Sequence, residues 1–152
     1  MNKMIKLIFG LAFIFSTLSH AAAYADSMNC GDFHIQIANM TPQACALTSQ
    51  KVIHGNVISA PPMTIMPMDS KAFNMGQTGY GPEILLSYQC GDENITFKSK
   101  QTVCLMGAGN IIGRILDPKP IDHTISYQIT EGSWLWDRPG NINWTITARH
   151  TQ

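Results

Sequence analysis

Ile84-Leu85-Leu86-Ser87-Tyr88-Gln89-Cys90-Gly91-Asp92-Glu93-Asn94-Ile95-Thr96-Phe97 decides the fold class of this chain. Ile84, Leu86, Tyr88 and Cys90 recur at every second position, so an extended backbone places them on one face. Gly91-Asp92-Glu93-Asn94 is a run of turn formers, and Ile95 and Phe97 start the return strand. The stretch reads as a hairpin with one buried face.

The same period of two runs outward in both directions, and long helical periodicity is absent. Phe33, Ile35 and Ile37 alternate with His34, Gln36 and Ala38. A turn over Asn39 to Gln43 then leads into a partner strand begun by Cys45 and Leu47, which predicts a first hairpin. Val52 to Ile58 is expected to be a strand bent or bulged at Gly55 and ended by Pro61-Pro62. Downstream, Ile111 to Leu116 follows Gly107-Ala108-Gly109 and stops at Asp117-Pro118. Ile125, Tyr127 and Ile129 alternate, Asp137-Arg138-Pro139-Gly140 turns the chain, and Ile142, Trp144 and Ile146 form the last buried face. Seven to nine short strands at this spacing predict an all-β, antiparallel two-sheet sandwich. A barrel of similar size is the alternative.

Residues 1–25 read as a secretory signal peptide: Lys3 and Lys6 precede an apolar run from Leu7 to Leu18, and Ala23-Tyr24-Ala25 places cleavage before Asp26. The expected mature chain, residues 26–152, is one β-sandwich domain, secreted or periplasmic. The 10 basic and 10 acidic residues of the whole chain include Lys3 and Lys6, so the mature chain carries eight basic against ten acidic residues, a net of −2. That balance argues against nucleic acid as a partner, because releasing phosphate counterions needs a basic face.

Cys30, Cys45, Cys90 and Cys104 all follow the cleavage site, an even count that implies two disulfides in an oxidising compartment. No Cys-x2-Cys spacing supports a zinc site. Loop closure favours the two short pairings, Cys30 with Cys45 and Cys90 with Cys104.

Pro61-Pro62-Met63-Thr64-Ile65 with Pro67 and Ser70 to Phe73, then Tyr80-Gly81, Leu86-Ser87-Tyr88 and Trp136-Asp137-Arg138-Pro139-Gly140-Asn141, resemble the aegerolysin and actinoporin group of small secreted β-sandwiches. The likeness spans most of residues 33 to 147. It implies a two-sheet sandwich whose loops meet lipid or a lipid head group, in some cases within a pore-forming pair. The chain lacks the amphipathic N-terminal helix and basic character of actinoporins, and its four-cysteine framework and signal peptide depart from aegerolysins. Both departures argue against pore formation.

Trp134-Leu135-Trp136, beside the Arg138 turn, is the leading contact motif, together with Tyr80. Indole pairs a large apolar face with one N–H donor, which suits a membrane interface, a sugar ring or a protein partner. The alternative places one or both indoles in the hairpin core, and Trp144 is expected there. Met63, Met66, Met68 and Met75 crowd one segment; core filling is the favoured reading and Cu(I) binding by thioethers the other. No cofactor is expected. His34, His54, His123 and His150 lack the spacings of metalloprotease motifs, and no Gly-x-Ser-x-Gly elbow occurs. Asn39, Asn94 and Asn143 head Asn-x-Thr sequons, which matter only in a glycosylating host. The expectation is a non-catalytic exported binding module for a lipid surface, glycan or envelope protein. A structural protein of the cell envelope or a periplasmic copper binder are the alternatives.

Overall fold

A computed structural model describes residues 30–105, 109–116 and 121–149. The expected signal peptide and its cleavage site, Gly107-Ala108, the Asp117-Pro118 stop and His150 lie outside these residues. Ten strands form: β1 (Asp32–Met40), β2 (Cys45–His54), β3 (Asn56–Val57), β4 (Thr64–Ile65), β5 (Asp69–Gly76), β6 (Glu83–Cys90), β7 (Glu93–Gln101), β8 (Ile111–Leu116), β9 (His123–Thr130) and β10 (Gly140–Ala148). They make two five-stranded sheets, a front sheet in the order β3-β5-β1-β10-β9 and a back sheet in the order β4-β2-β6-β7-β8. All pairings are antiparallel except β1 with β10.

Alternation builds the core. Phe33, Ile35 and Ile37 of β1, Ile142, Trp144 and Ile146 of β10, and Phe73 and Met75 of β5 face Ile84, Leu86 and Tyr88 of β6 and Ile95 and Phe97 of β7. Trp144 is fully buried. Its ring lies 4.6 Å from that of Phe97 and 4.8 Å from that of Tyr127, and its Nε1 donates to Ser99 Oγ at 2.8 Å across the two sheets. A buried indole N–H without such an acceptor would lose its hydrogen bond to water uncompensated. At the end of β1, Asn39 Nδ2 donates to the carbonyls of Gln43, Ile65 and Met66, while the Thr41 amide and hydroxyl donate to its Oδ1. Asn39 is thereby a buried plug, and its sequon is sealed in the fold.

Four expectations change. The first hairpin does not form: β1 and β2 join different sheets, because β1 takes β10 and β5 as neighbours while β2 takes β6 and β4. Residues 45–54 are one strand, and the chain crosses from the back sheet to the front sheet at Gly55, where φ is +85°. A left-handed bend of this kind is open to glycine at no steric cost.

The short cysteine pairings also fail. The disulfides are Cys30–Cys104 and Cys45–Cys90. Cys30 and Cys45 flank β1, and Cys90 and Cys104 flank β7, each of nine residues. Such a strand holds its ends roughly 30 Å apart, whereas a disulfide needs Cα atoms within about 7 Å. Cys45 instead faces Cys90 across the β2–β6 pair. The two bridges suit an oxidising compartment, extracellular or periplasmic.

Finally, of the four clustered methionines only Met75 fills the core. Met63, ahead of β4, and Met66 and Met68, in the turn that follows it with Met68 at φ +57°, are exposed.

Candidate functional site

One end of the sandwich gathers the segment before β1, the β5–β6 loop (77–82), the segment after β7 and the β9–β10 loop (131–139). All four expected contact residues sit here. Tyr80 is on the β5–β6 loop, and Trp134, Trp136 and Arg138 are on the β9–β10 loop.

Trp134-Leu135-Trp136 is not a strand. Ser133 and Arg138 exchange backbone hydrogen bonds of 2.8 and 2.9 Å, and the four residues between them form a turn closed by the Asp137 amide donating to the Trp134 carbonyl. Asp137 takes φ +45°, a conformation that short polar side chains adopt more readily than others. With no partner strand beyond Ser133 and Arg138, the apolar tip points into solvent. Trp134, Leu135 and Trp136 are 55%, 73% and 78% exposed. The core placement of these two indoles, weighed from sequence, does not occur. The turn is also anchored: the Cys30 amide donates to Asp137 Oδ1 at 3.4 Å, and Cys30 is bonded to Cys104. Arg138 Nη2 donates to the Glu131 carbonyl at 3.2 Å.

Two cavities flank this end. One of about 490 Å3 runs between the turn and the disulfide, lined by Trp134, Asp137, Asp32, Asn56 and Gln77. The other, of about 370 Å3, is lined by His54, Tyr80, Lys100 and Gln101. The Tyr80 ring stacks on His54 at 5.0 Å and is 70% exposed. The β5–β6 loop and residues 102–105 wall both cavities, so the Trp turn and Tyr80 belong to one continuous rim. Leu105, 68% exposed, adds a further apolar side chain. Neither Leu105 nor His54 stands out in the sequence as part of this rim, because a lone Leu after a cysteine and a lone His carry no periodic signal.

Among the described residues, no group of three or more His, Cys, Asp or Glu side chains forms a metal site. Of the exposed methionines, Met66 lies at the opposite end, where its carbonyl accepts from Asn39, and Met63 lies along the β2 edge, where its carbonyl accepts from the Leu47 amide.

The chain matches no protein-family model and no curated protein. It is similar in structure to Nakanori, a lipid binding protein, with a TM-score of 0.58 at 8% identity over 76% of this chain and 70% of that one. It is similar to IP-1A from Alcaligenes faecalis, with a TM-score of 0.57 at 14% identity over 84% and 97%. RahU, solved with a TRIS molecule, gives 0.60 at 7% identity over 82% and 99%. Identities this low show a shared β-sandwich fold.

Proposed function

We propose that this protein is an exported, non-catalytic module that binds lipid surfaces by laying the Trp134-Leu135-Trp136 turn into the membrane interface. One observation carries the reading: three consecutive large apolar side chains, all more than half exposed, project from the tip of an anchored turn. Burying an aromatic side chain removes about 150–250 Å2 from water, so two indoles represent a gross gain on the order of 10 kcal/mol before the costs of association. Indoles favour the headgroup level, where the ring is dry and the N–H stays wet. The fold shared with a lipid binding protein is consistent with that use.

The test is co-sedimentation with phosphatidylcholine vesicles, read together with indole fluorescence. The expected result is retention of the wild-type chain with a blue shift of emission, and loss of both in Trp134→Ala/Trp136→Ala. Vesicle retention of the double variant equal to wild type, or no retention of the wild type on any vesicle composition, overturns the proposal.

A further inference from the structure

Four of the eight Lys and Arg residues of the expected mature chain lie on the outer face of the back sheet. The register aligns Lys51, Leu85, Lys98 and Arg114 in one row across β2, β6, β7 and β8. The next row toward the Trp end is His54, Glu83, Lys100 and Ile112. Adjacent strands are about 4.8 Å apart, so each row is a compact stripe. Glu83 is the one acid in these rows, and it is 2.8 Å from Lys98 Nζ and 3.0 Å from Lys100 Nζ. It offsets one of their two charges. Lys51 and Arg114 are exposed and form no ion pair among the described residues, so the rows keep a net charge of +3 in a mature chain whose total is −2.

The second row ends at the candidate site. Lys100 and His54 line the same cavity as Tyr80, and Tyr80 stands on the rim that carries the Trp turn. A cationic stripe running into an apolar rim complements a surface that is negative at its face and apolar beneath, which is an anionic bilayer leaflet.

We infer that the Lys51-Lys98-Lys100-Arg114 face makes this protein selective for anionic lipid surfaces, with the His54-Tyr80-Lys100 cavity seated against an acidic headgroup. This rests on the lipid-surface reading above and names its lipid class. The Trp turn supplies attachment to any bilayer, and the basic face sets which bilayer is preferred. Each Lys or Arg near such a surface strengthens partition about fivefold, and salt screens the effect.

The experiment compares vesicles of phosphatidylcholine alone with vesicles of phosphatidylcholine and phosphatidylserine, at low and high salt. The wild type should partition at least about 25-fold more strongly onto the anionic vesicles at low salt, and the preference should shrink as salt rises. Lys51→Gln/Arg114→Gln should lower anionic partition about 25-fold while leaving partition onto neutral vesicles unchanged. Melting curves of that variant check that both exposed substitutions leave the fold intact. Equal partition of the wild type onto both vesicle types overturns the inference and leaves the Trp-turn proposal standing, whereas failure on both types removes the two together. Equally tight, salt-sensitive binding to single-stranded DNA also overturns it, because the face would then be a general polyanion binder.

Discussion

At the scale of single residues, three tryptophans of one chain have opposite fates for a geometric reason. Trp144 lies in β10 at a position that alternation turns inward, between Phe97 and Tyr127, with its N–H on Ser99. Trp134 and Trp136 share the same spacing of two, but the Ser133–Arg138 turn removes them from any sheet. Trp144→Ala should therefore cost roughly 3–5 kcal/mol, whereas Trp136→Ala should shift stability by less than about 0.5 kcal/mol. Chemical denaturation of the two variants measures both. A loss above about 2 kcal/mol in Trp136→Ala would place that ring in a packed environment and contradict its exposure. The inward Trp144 was legible from Ile142 and Ile146 on either side of it; the outward pair was not, because Trp134-Leu135-Trp136 alone is compatible with a strand or a turn.

Among elements, the joint between the β6–β7 turn and the start of β9 ties the two sheets at the end away from the Trp turn. Glu93 Oε1 accepts the amides of Ile121 and Asp122 at 2.6 and 2.8 Å, and His123 Nδ1 lies 2.7 Å from Glu93 Oε2. Burial raises the Glu93 pKa, but the hydrogen bonds from His123, Asp122 and Ile121 outweigh it, so the carboxyl titrates below its ordinary 4.5. Because the folded value is depressed, the stabilisation is fully present above the unfolded value and is lost as the pH falls through the folded one. Glu83 behaves the same way: burial raises its pKa, and Lys98 and Lys100 lower it further than that. Melting temperatures measured on descending through pH 4.5 should fall for the wild type, and Glu93→Gln should show a shallower decline from a lower starting point. An identical slope in the variant would remove Glu93 from the acid response. From sequence, Asp92 and Glu93 read as solvated turn residues, since nothing local announces that residues 121–123 fold back onto them.

On the scale of the whole molecule, the two disulfides do different work. Cys45–Cys90 staples neighbouring strands inside the core, while Cys30–Cys104 joins the segment before β1 to the segment after β7 at the rim. Their sequence separations of 45 and 74 residues predict similar losses in the chain-entropy picture, about 4 kcal/mol each. Their effects on binding should differ. Cys30→Ser/Cys104→Ser should weaken vesicle retention at temperatures where the variant is still folded, because the Cys30 amide positions Asp137 under the Trp turn. Cys45→Ala/Cys90→Ala should leave retention of the folded fraction unchanged. Melting curves combined with co-sedimentation separate the two, and equal binding by both variants would deny the anchoring role. Alternation and turn formers in the chain were enough to announce an all-β fold, the hairpin from Ile84 to Phe97, the strand from Ile111 to Leu116 and the inward faces of β1, β6 and β10. Alternation and turn chemistry are local, and they act within a few residues of chain. Folding in three dimensions was needed to close the strands as two sheets rather than a barrel, to pair β1 in parallel with β10, to bring Cys45 to Cys90, to leave the Trp turn free and to set Lys51, Lys98 and Arg114 in one row. A strand's backbone hydrogen bonds satisfy any partner of matching length almost equally well. Neighbours, disulfide pairs and surface stripes therefore follow from how the two buried faces close on one core, a choice made by residues far apart in the chain.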